Sequence, residues 1–136
     1  MISSEELLTR VNNPDNFPGR NGMRVTEIGD GTARGEMADT SAIKNLLGGI
    51  HGGALYTLAD AVTAMAICSG GQAYVTLGGS MEYLRPACPG VVTCEAKVRK
   101  TGKTIAVGEC TLTDSAGTEI AIGTFTFYAT NIEYPK

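Results

Sequence analysis

The stretch His51-Gly52-Gly53-Ala54-Leu55-Tyr56-Thr57-Leu58-Ala59-Asp60-Ala61-Val62-Thr63-Ala64-Met65-Ala66-Ile67-Cys68 decides the fold. At 3.6 residues per turn it makes a helix of about five turns, apolar on nearly every side, with one carboxylate in its middle. Such a helix either spans a membrane or forms the centre of a water-soluble core, and its length lies near the roughly 18-residue minimum for spanning. Asp60, Thr57, Thr63 and the paired glycines argue against lipid, and the strand patterns that follow favour a helix wrapped by a sheet. Its opening, His51-Gly52-Gly53, offers bare backbone N–H groups where a helix collects partial positive charge.

Spacing within the stretch constrains what it can do. Asp60 lies eight residues beyond Gly52, so the two are about 12 Å apart along the axis. One helix cannot bring both to the same atom. If the glycine N–H and the carboxylate serve one reaction, they come from two antiparallel copies of the helix across a two-fold axis.

Outward from the helix, the N-terminal side reads as follows. Ser3-Ser4-Glu5-Glu6 fits a capping box that opens a short helix through about Val11, and Asn12-Asn13-Pro14 ends it. Residues 15–22 read as loop. Met23 to Ile28 and Thr32 to Ala38 alternate as the two strands of a hairpin turning at Gly29-Asp30-Gly31. Residues 39–49 have no period, and the glycines of Asn45-Leu46-Leu47-Gly48-Gly49 let the backbone approach another segment or a ligand closely.

On the C-terminal side, Ser69-Gly70-Gly71 stops the helix. Tyr74 to Leu84 is expected to put Val75, Leu77, Met81 and Tyr83 on one face and Thr76, Ser80 and Glu82 on the other, with a bulge or close contact at Gly78-Gly79. Val91 to Arg99, Thr104 to Thr113 and Thr118 to Ala129 follow as strands, so the second half reads as a four-strand meander. The expectation is a single α+β domain spanning residues 1–136, with an N-terminal helix and loop in 1–20 and a core in 21–130.

Composition excludes several functions. A net charge of −3 over 136 residues argues against a nucleic-acid or membrane-surface binder. Only Lys97-Val98-Arg99-Lys100-Thr101-Gly102-Lys103 concentrates positive charge. The acidic start, Met1 to Glu6, lacks the basic and apolar regions of a secretory signal, so the cytoplasm is the expected compartment. Cys68, Cys88, Cys94 and Cys110 have neither CxxC nor zinc-site spacing, and His51 is the only histidine, so free thiols and no metal are expected.

His51-Gly52-Gly53, then Leu58-Ala59-Asp60, then Glu82-Tyr83-Leu84-Arg85-Pro86, in a β-α-β4 order, resembles the hotdog-fold acyl-CoA thioesterases of the phenylacetic-acid-degradation (PaaI-like) type, within the 4-hydroxybenzoyl-CoA thioesterase superfamily. The resemblance runs from about residue 20 to residue 130. It implies an antiparallel sheet wrapped around the long helix and hydrolysis of a small to medium or aromatic acyl-CoA without metal or organic cofactor. It implies that the Gly52 N–H polarises the thioester carbonyl with help from the Asn45 side chain. Asp60 of the partner subunit acts as general base or nucleophile, and Thr76 helps to hold the attacking water. For His51 both a catalytic and a loop-fixing role stand open. Arg85, Lys103 and Thr104 are candidates for the phosphates of coenzyme A. The family's dimers share active sites across joined sheets, and a dimer of dimers is expected.

Two other functions compete with this one. Hydratases on the same fold pair a catalytic histidine with an acidic residue, which a chain whose single histidine sits in the HGG turn does not match. A non-catalytic acyl-CoA-binding protein would have little need of a carboxylate buried near the thioester. The acyl group, the base or nucleophile role of Asp60, and the tetramer arrangement are not encoded in any motif of the chain.

Overall fold

The computed structural model describes all residues, 1–136. A helix α1 (Ser4–Val11) and a single turn α2 (Phe17–Arg20) precede the hairpin β1 (Met23–Gly29) and β2 (Thr32–Met37). The long helix α3 (Gly52–Ile67) follows, then β3 (Tyr74–Tyr83), β4 (Val92–Thr101), β5 (Ile105–Thr113) and β6 (Glu119–Ala129). All six strands form one antiparallel sheet in the order β1-β2-β4-β5-β6-β3. Its inner face curls around α3, so the hotdog fold and the α+β class follow from the sequence pattern. Leu58, Ala59, Val62 and Ala66 of the helix are completely enclosed there.

The capping box closes α1 as expected, with the Ser3 hydroxyl accepting from the Glu6 N–H at 3.1 Å. The expected loop at 15–22 contains α2, because the Asn16 side chain caps Gly19 and Pro18 is preset for a first turn.

The sheet wraps closely because glycines replace side chains where the helix presses on it. A Cβ on Gly35 of β2 would lie 2.6 Å from Val62 Cγ2, and one on Gly108 of β5 would lie 2.6 Å from Thr63 Cγ2. Elsewhere the inner face is filled by alternating residues, among them Val92, Cys94 and Ala96 of β4 and Phe125 and Phe127 of β6. The four cysteines are free, and Cys68, Cys94 and Cys110 are buried.

Two expectations are corrected. The last four strands are not a meander: β4, β5 and β6 are, but β3 pairs with β6 at the far edge. The connection 84–91 therefore crosses the end of the sheet. It is tied down where Leu84 N–H donates to the Ile120 carbonyl at 2.8 Å and Cys88 N–H to Asp114 Oδ2 at 3.1 Å. A two-proline segment is too stiff for a tight hairpin but suits such a crossing.

The faces of β3 also differ from the expected alternation. The register shifts between Thr76 and Gly78, and the extra residue exchanges the faces on its two sides. Thr76 therefore points inward opposite Phe127, and Gly79, Met81 and Tyr83 continue that face, while Val75 and Leu77 are exposed. The bulge and the close contact expected at the glycines are both present, since a Cβ on Gly79 would lie 2.3 Å from Phe125 Cδ1.

The two sheet edges differ. At β1, the Asn12 side chain donates to the Val25 carbonyl at 2.8 Å and accepts from the Val25 N–H at 2.9 Å, standing in for a neighbouring strand. At β3 the outer edge is bare over ten residues.

Candidate active site

The start of α3 is set by His51, which is its N-cap. A helix start leaves four backbone N–H groups without intrahelical partners. Here His51 Nδ1 accepts from Gly53 N–H at 2.8 Å, and the His51 carbonyl accepts from Ala54 and Leu55 at 2.9 and 3.2 Å. The Gly52 N–H is the one left over. A Cβ on Gly53 would sit 3.0 Å from His51 Nδ1, so the second glycine makes room for the cap. With Nδ1 accepting, the neutral ring carries its proton on Nε2.

The preceding loop is equally fixed. Asn45 N–H donates to the Gly49 carbonyl at 2.8 Å, and Asn45 Oδ1 accepts from Leu47 and Gly49 at 2.9 and 3.1 Å. Its oxygen is thus consumed by the loop, and its Nδ2 donors are free. Asn45 and Gly52 face the same cavity of about 470 Å³, together with Leu55, Tyr83 and Arg85. The two donors the sequence singled out are brought together.

Tyr83 completes this corner, and sequence reasoning gave it no role. Its hydroxyl donates to the Gly52 carbonyl at 2.9 Å. The peptide unit between Gly52 and Gly53 is therefore held at both ends, by Tyr83 at the oxygen and by His51 at the nitrogen. A tyrosine near a strand end carries no signal of such a contact, which depends on the β3 bulge placing it on the inner face.

Asp60 lies half-buried two turns further along α3. Thr76 Oγ1 donates to Asp60 Oδ1 at 2.8 Å, so the bulge also delivers this partner. Burial pushes the Asp60 carboxyl above its ordinary range, and the Thr76 hydrogen bond offsets part of that shift. Beside it opens a second cavity of about 450 Å³, walled by Phe17, Pro18, Tyr56, Ala61, Ala64 and Met65. The protomer thus brings Gly52 to Asn45 and Asp60 to Thr76, as two separate groupings along one helix.

The candidates for phosphate are divided. Arg85 lines the Gly52 cavity and donates to the Glu119 carbonyl. Lys103 and Thr104 sit in the β4–β5 turn, whose neighbour is Ala129 at the opposite end of β3, roughly 30 Å away for a ten-residue strand. Within the basic run, Lys97 and Arg99 lie 3.3 and 3.4 Å from the Glu109 carboxylate.

Comparison with known proteins identifies the family. Residues 47–121 match the family model of the thioesterase superfamily. The acyl-coenzyme A thioesterase PaaI of Escherichia coli is 30% identical over 102 residues, covering 74% of this chain and 73% of that protein. The solved structure of the E. coli PaaI protein superposes with a TM-score of 0.85 at 24% identity, covering 94% of each chain. A Streptococcus pneumoniae hypothetical thioesterase protein, solved with coenzyme A, superposes with a TM-score of 0.76 at 26% identity, covering 82% of this chain and 88% of that one. The inner-face wrapping, the HGG helix start and these matches together make the chain a PaaI-like, hotdog-fold thioester hydrolase belonging to the thioesterase superfamily.

Proposed function

We propose that the substrate is an acyl-CoA thioester, hydrolysed to free acid and coenzyme A in a site shared by two subunits. The observation that carries this reading is the single unpaired N–H of the α3 start, at Gly52, facing one cavity with the free Asn45 amide. Two donors converging on one cavity suit the oxygen of a thioester carbonyl as it gains negative charge. The proton acceptor is Asp60. Its raised basicity suits it to take a proton from water, and the Thr76 hydrogen bond engages Oδ1 and leaves Oδ2 without a partner. Attack by Asp60 itself, through an anhydride, would use the same geometry.

About 12 Å of helix separates Gly52 from Asp60, so the two halves are supplied by different subunits. The bare β3 edge is where the sheets would join, since Asn12 blocks the β1 edge. Exposed Ile105, Ile122 and Tyr128 on the outer sheet face are where two such dimers would meet.

The test is release of free thiol from a panel of acyl-CoAs by wild type and Asp60→Asn side by side. Turnover by wild type and a loss of at least about a hundredfold in the variant is the expected result, in the range general-base catalysis contributes. Binding of the panel without turnover by either protein would instead make this an acyl-CoA-binding protein.

A further inference from the structure

Leu46 and Leu47 are adjacent and almost wholly exposed, at 104% and 95%. They do not sit on a slack loop. Four hydrogen bonds internal to residues 45–49 lock the turn, and Gly48 takes the positive φ that it requires. A rigid tip that presents two leucines to water needs something apolar to meet.

The shared-site arrangement fixes what that is. Pairing Gly52 with the partner's Asp60 on antiparallel helices places Tyr56 at the two-fold axis. The residues before Gly52 then run alongside the turns after the partner's Asp60, which carry Ala61, Ala64 and Met65. Those side chains, with Phe17 and Pro18, wall the cavity of about 450 Å³ beside Asp60. We infer that the Leu46-Leu47 tip of one subunit closes the partner's cavity beside Asp60, forming a composite chamber for an apolar acyl group; the inference rests on the shared-site reading above.

The apolar walls of the cavity support an unsubstituted acyl tail. Asn16 Oδ1 accepts from Gly19 N–H at 2.9 Å and its Nδ2 donates to the Val11 carbonyl at 2.8 Å. The Thr57 hydroxyl donates to the Gly53 carbonyl at 2.9 Å, while the Tyr56 hydroxyl lies beside Gly79 of β3 without a hydrogen bond. Apart from Asp60, only the Tyr56 hydroxyl there lacks a hydrogen-bond partner, and the wall of Phe17, Pro18, Ala61, Ala64 and Met65 offers a distal hydroxyl nothing in place of the water it would lose.

The experiment measures kcat/KM for acetyl-, octanoyl- and 8-hydroxyoctanoyl-CoA on wild type and on Leu46→Ser/Leu47→Ser, at concentrations where sedimentation shows both to be dimers. The expected result is a wild-type preference for octanoyl over its hydroxylated analogue of at least about tenfold. The octanoyl-to-acetyl ratio is expected to fall by about tenfold or more in the double variant. An unchanged ratio overturns the inference while leaving the thioesterase reading intact, whereas a wild type inert to all three overturns both. Heterodimers of Asp60→Asn with the double variant, isolated through two affinity tags, assign the subunit. Their one working site joins an intact Asp60 to the other chain's intact leucines, so wild-type selectivity is expected. The selectivity of the double variant would place the leucines over their own subunit's Asp60 and overturn the composite chamber.

Discussion

Asp60 trades stability for basicity. Burial disfavours its charged form more than the Thr76 hydrogen bond favours it, so the folded-state pKa lies above the unfolded one. The native state therefore holds the Asp60 proton more tightly. Its contribution is fully present below about pH 3.9, the ordinary Asp value, and is lost as pH rises through the raised folded value. Asp60→Asn, which keeps an oxygen for Thr76, is expected to raise Tm at pH 7 and leave it unchanged at pH 3 in calorimetry. The acid limb of the wild-type kcat profile is expected above the ordinary carboxylate value. Asp114 has the opposite sign. It accepts from Cys88, Ala116 and Thr118 N–H groups, which hold its pKa down, so its stabilisation is full above the ordinary value and is lost as pH falls through the lowered one. Asp114→Asn should lower Tm at pH 7, with the difference shrinking below pH 3. At the helix start, Tyr83→Phe frees one end of the Gly52–Gly53 peptide. A loss of about tenfold in kcat with KM nearly unchanged is expected, since orientation of a donor acts on the transition state.

At the scale of elements, the fit between sheet and helix is set by where side chains are missing. Gly79→Ala would drive a Cβ to within 2.3 Å of Phe125 Cδ1 and 2.9 Å of the Tyr56 hydroxyl, and overpacking of this kind costs about 1–3 kcal/mol. Urea unfolding should register that loss as a lower midpoint with an unchanged slope. The same glycines mark how far the sequence could be read. The apolar period of α3, the capping box at Ser3 and the alternation in β1, β2 and β4 to β6 are local patterns, and each element formed where its pattern lay. Gly78-Gly79 mark the bulge but not its phase, so the alternation puts Thr76 on the wrong face, and its hydrogen bond to Asp60 is legible only in the structure. The position of β3 beside β6 was not legible, because strand order depends on pairings between segments remote in sequence. The Asp114-Ser115-Ala116-Gly117 turn did carry a signal, since Asp at the first position and Gly at the fourth favour a hydrogen-bonded turn. Its second task, holding the 84–91 crossing, is set by that same strand order.

For the whole molecule, the unequal edges of the sheet bear on how two copies would meet under the shared-site proposal. An edge strand with unpaired backbone groups is a template for another strand, and proteins commonly blunt it. The β1 edge is blunted by the Asn12 amide, whereas β3 carries no such device and exposes Val75 and Leu77 at 48% and 58%. Joining β3 to its copy would run both sheets together and lay the two α3 helices side by side, which is the arrangement that carries Gly52 to the partner's Asp60. Replacing both exposed residues, Val75→Lys/Leu77→Lys, puts repelling charge on that edge without touching the inner face. The expected protein has native circular dichroism, sediments as a monomer and has lost at least about a hundredfold in kcat/KM, because each half-site lacks either its donors or its base. A monomer with wild-type activity would show that one helix start and one Asp60 suffice, and the shared site would have to be abandoned. A variant that stays dimeric and active would leave the shared site standing and move the interface away from β3.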